Sequence, residues 1–260
     1  MPVSNAMTST SAIFAERISL QHGSLLAISE VSFSLEKGRM LGVIGPNGAG
    51  KSSLLSALLG LSKSTKGRVL FDGMPLKKRR KQVAFIPQKS DIDWSFPITL
   101  YDAVMMGRYG HLGWLKWYRK RDREHVDHIL EELDLIHLAK RHISALSGGQ
   151  QQRLFLARAL VQEADILIFD EPFAGVDQGT EEEIVQRLHA LQKEKKTVVV
   201  VHHGLDRVPD YFDRVLMINR VQIAFGPTAS TFTPENLNKT FGRHSHLLFE
   251  AMQLAKRNQA

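Results

Sequence analysis

The 260-residue sequence contains no cysteine, which excludes a disulfide framework and any thiolate metal site. It also lacks an apolar run approaching the roughly 20 residues that a membrane-crossing helix needs. Met1 to Ile13 is polar and rich in serine and threonine, with neither a basic start nor an apolar stretch, so it does not read as a signal peptide. No internal repeat or low-complexity tract interrupts the chain. What is present is ordinary: 43% hydrophobic and 23% charged residues, the composition of a soluble globular protein. A chain of this length buries one sizeable core, or one core and a smaller lobe. The expectation is a protein of a reducing, intracellular compartment.

Lysine and arginine number 34 against 27 aspartate and glutamate, a net charge of +7. Such a balance suits nucleic acid, anionic lipid headgroups or phosphorylated ligands, and selects none of them. The densest run, Lys77-Lys78-Arg79-Arg80-Lys81, reads as a solvated crossover between two strands.

Hydrophobic patterning places strands at both ends and helices between. Val31 to Leu35 alternates with period two before Lys37-Gly38, a half-buried strand and turn. Met40 to Ile44 is continuously apolar, as in a buried parallel strand. A helix is expected over Ser52 to Leu61. Arg68 to Phe71 followed by Asp72-Gly73 signals a hairpin, and Val83 to Ile86 another strand. Thr99-Leu100-Tyr101-Asp102 has the form of a capping box. Val126, Ile129, Leu130 and Leu133 share one helical face. Two further apolar runs, Ile166 to Phe169 and Thr197 to Val201, flank a crossover helix marked by Ile184, Val185, Leu188 and Leu191. That order argues for a parallel sheet. Arg214 to Gly226 reads as a hairpin.

Two motifs carry chemistry by themselves. Gly45-Pro46-Asn47-Gly48-Ala49-Gly50-Lys51-Ser52 matches GxxxxGK[ST] between an expected strand and an expected helix. Glycines there let backbone N–H groups approach phosphate oxygens, and the helix N-terminus adds favourable partial charge. Lys51 can reach the β- and γ-phosphates, and the Ser52 hydroxyl can ligate Mg²⁺, with Ser53 beside it. Ile166 to Phe169 ends in Asp170-Glu171, an apolar strand terminated by two carboxylates. Asp170 can hold Mg²⁺ through its water shell, and Glu171 can orient and polarise an attacking water.

A third motif, Leu146-Ser147-Gly148-Gly149-Gln150, resembles the signature of the ATP-binding cassette family. The resemblance implies that Ser147, Gly148, Gly149 and Gln150 of one subunit close on nucleotide held by another. Ala174-Gly175-Val176-Asp177 resembles the D-loop, which implies an interface role for Asp177. Gln88 resembles the Q-loop glutamine that senses Mg²⁺ and the attacking water. His203 resembles the switch histidine, with His202 read as a strand-end residue; Gly204 stands where the family usually has aspartate. His22 stands where the family stacks an aromatic on adenine. Asp93 to Pro97, Met106 to Gly110 with Leu112-Gly113-Trp114, Asp170 to Asp177, and Thr233 to Leu237 with Thr240-Phe241-Gly242 resemble the ATPases of manganese, zinc and iron uptake transporters.

The resemblance implies an α/β fold: a P-loop NTPase cassette with a RecA-like core, an antiparallel β subdomain and a helical signature subdomain near residues 89–161. The cassette is expected over residues 13–242, with a disordered tail over 1–12 and a C-terminal tail over 243–260. Trp94 and Phe96, and Trp114, Leu115 and Trp117, could serve as core, while Asp91 to Pro97 is the expected route to a membrane partner. His244 and His246 are read as exposed tail residues. The expected cofactors are ATP and Mg²⁺. The expected partners are a second copy in a head-to-tail dimer, integral membrane permease subunits and, indirectly, a metal-binding solute-binding protein. No nucleic acid partner is expected, and the location is the cytoplasmic face of the membrane. The alternatives are the ATPase of an iron-siderophore or haem importer, and a nucleic-acid-associated cassette ATPase.

Overall fold

A computed structural model describes residues 11–112 and 117–242. The expectations for residues 1–10, Gly113, Trp114, Leu115, His244, His246 and the tail from residue 243 lie outside the described residues. In chain order the elements are β1 (Ser11–His22), β2 (Leu25–Glu36), β3 (Met40–Ile44), α1 (Lys51–Leu58), β4 (Thr65–Phe71), α2 (Leu76–Arg79), β5 (Val83–Ile86), α3 (Leu100–Met105), α4 (Lys120–Glu132), α5 (Gly148–Leu160), β6 (Ile166–Asp170), α6 (Gln178–Lys193), β7 (Thr197–His202), α7 (Val208–Tyr211), β8 (Arg214–Asn219), β9 (Val221–Pro227), α8 (Thr228–Thr231) and α9 (Pro234–Phe241). They fall into two compact units, Met1–Lys78 with Thr197–Ala260, and Arg79–Lys196.

In the first unit the strands run in the order β4-β1-β2-β9-β8-β3-β7. β3 pairs in parallel with β7 and β8, whereas β1 pairs antiparallel with β2 and β4. Every residue of β3 and β7 is buried. Strands covered on both faces need no polar side, which is why their sequences are unbroken apolar runs. Gly42 interrupts β3 because Phe212 packs over it: a Cβ there would lie 2.6 Å from the Phe212 ring.

The antiparallel part differs from its sequence pattern in two places. β1 starts at Ser11, inside the stretch expected to be tail, with Ser11 and Ala12 buried. Its alternation is broken at Glu16-Arg17, where the register with β2 shifts between Ala15 and Ile18 and Arg17 takes a φ of 51°. This bulge hides the strand from a period-two reading. The second difference is at Asp72-Gly73. The turn closes only the bridge between Phe71 and Met74. The chain then enters α2, so the expected hairpin does not form and β4 pairs with β1 instead. No alternating run follows Gly73; the exposed basic run does, and it forms a helical turn instead.

In the second unit β5 and β6 are parallel, from Val83 opposite Ile166 to Ile86 opposite Phe169. Thr99 caps α3, its hydroxyl accepting from the Asp102 N–H at 3.2 Å. α4 buries Val126, Ile129 and Leu130, and α6 buries Ile184, Val185, Leu188 and Leu191. Trp94 packs edge-on against Phe155, ring centroids 5.3 Å apart, while Phe96 is 57% exposed. Trp117 is also exposed rather than core.

A buried ion network ties the ends of three elements of this unit together. Arg108, 6% exposed, donates through Nε to Asp122 Oδ1 at 3.1 Å, and through Nη1 to Val161 O at 2.7 Å and Glu163 Oε2 at 2.6 Å. Burial pushes the Asp122 carboxyl up, but the Arg119 N–H and the Arg108 guanidinium outweigh it and leave it below its ordinary value. No described helix is long and apolar enough to cross a membrane.

Candidate functional site

In the first unit β3 delivers the chain into the phosphate loop at Gly45. A Cβ on Gly45 would stand 2.2 Å from the Ile218 carbonyl oxygen, so no side chain fits. Gly48 and Gly50 adopt φ of 76° and 90°, the left-handed region that glycine enters without strain. The loop is pinned by the Ala49 N–H donating to Pro46 O at 3.1 Å and the Arg220 N–H donating to Ala49 O at 2.8 Å. Asn47 and Gly48 are exposed, and nothing lies within 4 Å of a Cβ built on Gly48.

α1 follows at Lys51. Gly50 is its N-cap, no side chain caps it and its first turn carries no acidic residue. The first-turn N–H groups therefore have neither a side-chain acceptor nor a negative neighbour, an arrangement suited to an incoming anion. Lys51 is 6% exposed, and its ammonium arches over the loop, donating to Gly45 O at 2.9 Å and Pro46 O at 3.1 Å. The geometry fits a phosphate chain. Ser52 is exposed at the second position of the helix, and Ser53 is half-buried. His22, exposed at the end of β1, brings Nε2 to 3.5 Å from Ser53 Oγ, a contact at the outer limit of a hydrogen bond.

The histidine pair is resolved by burial. β7 runs parallel to β3 with His202 opposite Ile44, so His203 comes level with the first loop residue, Gly45. His203 is exposed, whereas His202 is 4% exposed and has ring neighbours in Tyr211 and Phe212. Burial, reinforced by the charge of His203, pushes the His202 imidazole down to about 4. Only His203 presents a side chain outward at the level of the loop. Gly204 has its own reason: a Cβ there would lie 3.0 Å from His202 Nε2.

In the second unit β6 ends at Asp170, buried at 5% exposure, followed by half-buried Glu171. Glu171 takes a φ of 49°, one of eight described residues with a side chain in the left-handed region, which such residues uncommonly adopt. Gln88, two residues past β5, donates through Nε2 to Glu171 Oε2 at 2.9 Å. The parallel pairing of β5 with β6 brings these two residues together.

Gly148 and Gly149 are the first two residues of α5, which keeps their N–H groups in the unpaired first turn. Ser147 is the N-cap. Its Oγ accepts from the Gln150 N–H at 3.3 Å while Gln150 Oε1 accepts from the Ser147 N–H at 2.9 Å, a reciprocal capping box. A Cβ on Gly148 would lie 3.4 Å from Gly175 O, and one on Gly149 would lie 3.4 Å from Thr180 Oγ1. The signature turn thus lies against the loop that carries Asp177. Asp177 caps α6 and is held below its ordinary value by the Thr180 N–H at 3.0 Å and the Thr180 hydroxyl at 2.9 Å.

Two features escaped the sequence: the left-handed Glu171 and the Arg108 network. The third residue beyond Asp177, Thr180, was readable as a cap partner.

The family model described as ABC transporter matches residues 28–174. The chain is 48% identical over 215 residues to the manganese transport system ATP-binding protein MntB of Bacillus subtilis, covering 83% of this chain and 86% of that one. It is 45% identical over 239 residues to the zinc transport system ATP-binding protein TroB of Treponema pallidum, covering 92% and 90%. Among solved structures it resembles the ADP conformation of MJ1267, an ATP-binding cassette of an ABC transporter, with TM-score 0.72, 29% identity and coverage of 84% and 91%. It also resembles cbiO1 of Clostridium perfringens, part of the cbiONQ transporter complex, with TM-score 0.72, 27% identity and coverage of 92% and 99%. The protein thus belongs to the ATP-binding subunits of the ABC transporter family.

Proposed function

We propose that the chain is the ATP-hydrolysing subunit of an importer of a metal cation (manganese, zinc or iron), acting as a head-to-tail dimer beneath separate membrane permease subunits. The observation that carries the catalytic part is the 2.9 Å hydrogen bond from Gln88 to Glu171. It fixes the carboxylate of the candidate base through the residue that leads into the exposed Asp91 to Pro97 segment. The metal part rests on the relatives, whose names specify manganese, zinc and chelated iron transport.

In this reading Gly45 to Ser53 cradle the phosphates of ATP, with the Lys51 ammonium neutralising charge at the β- and γ-positions. His22 packs beside the base. The Ser52 hydroxyl, the Gln88 amide and the Asp170 carboxylate are hard oxygen donors of the kind that hold Mg²⁺, which neutralises phosphate charge when bound. Glu171 accepts the proton of the attacking water, and His203 contacts the γ-phosphate. Ser147, Gly148, Gly149 and Gln150 serve the ATP of the second copy, with Asp177 at the interface. Closure on ATP and reopening after hydrolysis bias the permease between two states. The protein works at the cytoplasmic face of the membrane, with a solute-binding protein delivering the metal.

Reconstitution with permease and binding protein in lipid vesicles tests this reading. Binding protein loaded with manganese, zinc or iron should raise ATP turnover severalfold over the metal-free form. Turnover insensitive to every metal but stimulated by siderophore, haem, DNA or RNA would select one of the alternative ATPases instead.

A further inference from the structure

The β8–β9 turn reaches the phosphate loop from outside it. Arg220 alone links the two strands, with a φ of 58° and its side chain exposed. Its backbone bonds in two directions. The N–H donates to Ala49 O in the loop at 2.8 Å, and the carbonyl accepts from the Ser29 N–H of β2 at 2.7 Å. The same two neighbours press on the loop at its ends: a Cβ on Gly45 would stand 2.2 Å from Ile218 O, and one on Gly50 would stand 2.6 Å from Ala27 O. The turn is itself anchored, since Asn219 Nδ2 donates to Thr240 O in α9 at 3.1 Å. Backbone N–H groups turned inward to phosphates leave carbonyls that need donors elsewhere. Gly45 O and Pro46 O take theirs from the Lys51 ammonium at 2.9 and 3.1 Å, so they compete with an incoming phosphate for the same donor group. The Arg220 N–H is a neutral backbone donor that a nucleotide does not draw away.

We infer that Arg220 is a positioning residue for the phosphate loop, its backbone N–H holding the Ala49 carbonyl so that a nucleotide meets a loop already shaped for phosphate. The inference rests on the reading above that this loop binds ATP, and adds a residue that acts without touching the nucleotide. A loop fixed beforehand loses less conformational entropy on binding than one that must be ordered by its ligand. The second bond, to Ser29, gives the bracket its reach. β2 belongs to the hairpin whose other strand ends at His22, so Arg220 joins the strand pair that carries the base contact to the loop that carries the phosphates.

The test removes that one N–H from the full chain. Arg220→Phe is compared with the same side chain incorporated as an α-hydroxy acid, in which an ester oxygen replaces the N–H. The KM for Mg²⁺-ATP and the ADP dissociation constant should both rise about five- to tenfold in the ester, the effect of losing one backbone hydrogen bond. The kcat at saturating ATP should stay within about twofold, because the loop grips ground state and transition state alike. Arg220→Pro removes the same N–H by ordinary substitution, cannot adopt the observed φ, and should raise KM at least as far. Unchanged nucleotide affinity in the ester or in Arg220→Pro would overturn the inference, even with a lowered urea midpoint, since the bond would then serve the fold and not the loop. So would a fall in kcat with KM unchanged, which would place the effect in the chemical step. A wild-type chain whose ADP affinity is untouched by Lys51→Ala would instead overturn the reading of the loop as the nucleotide site, and this inference with it.

Discussion

The His202 imidazole fills the space in which a side chain at position 204 would begin, and this decides what the neighbouring residue can be. The 3.0 Å approach to His202 Nε2 is tighter than an ordinary contact, so a Cβ there requires the ring to give by a few tenths of an ångström. The glycine that departs from the family pattern thus sits against the buried ring two residues earlier. Gly204→Asp should lower ATP turnover by roughly five- to tenfold through displacement of the His203 segment. Adding His202→Ala should recover much of that loss, the signature of two coupled positions. Full turnover in Gly204→Asp alone would show that the ring sets no constraint. His202 also carries a pH dependence. Its folded value, about 4, lies below the ordinary 6.5, so the unfolded chain takes up the proton first as pH falls. Stability contributed by the neutral ring is complete above pH 6.5 and declines down to about pH 4, by on the order of 3 kcal/mol. Urea unfolding at pH 7.5 and 4.5 should show that decline reduced in His202→Leu; an identical pH response in both proteins would contradict it.

At the scale of elements, the second unit depends on Arg108, within the Met106 to Gly110 stretch that the sequence marked only by its resemblance to metal-uptake ATPases. Arg108 bonds Asp122 at the start of α4, and Val161 O and Glu163 just beyond α5. Arg108→Ala strands a buried carboxylate and a buried carbonyl, and should cost about 3–5 kcal/mol in urea unfolding. Asp122→Asn keeps an acceptor for either Arg108 or the Arg119 N–H but not both, and leaves Arg108 paired with Glu163, so it should cost less. Comparable losses in the two variants would show that the charge matters more than the bonding. Buried strands such as β3 and β7 were legible because burial on both faces writes an uninterrupted apolar run. β1 was not, because its bulge at Glu16-Arg17 breaks the alternation that marks a half-buried strand. The Asp72-Gly73 signal was real as a turn and misleading as a hairpin, since turn residues specify a reversal and not the strand that follows it. The phosphate loop, the carboxylates ending β6 and the signature turn could be read as candidates because each depends on residue type at fixed spacing. The backbone of Glu171 could not, because a left-handed dihedral at a residue with a side chain is set by the fold and leaves no mark in residue type.

For the whole molecule the central claim is that one chain carries two incomplete halves of an ATP site: a phosphate loop with Lys51, and a signature turn with Ser147. In the proposed dimer of identical chains, each offers its signature to the other's phosphate loop and both sites are completed. The direct measurement mixes two variants that are inactive alone, Lys51→Ala and Ser147→Arg. A mixed dimer holds one site that combines the intact Lys51 of one chain with the intact Ser147 of the other. Mg²⁺-dependent ATP hydrolysis by an equal mixture should recover to about a quarter of the wild-type rate, half the dimers being mixed with one good site in two. A mixture no more active than the sum of its two components would contradict the account.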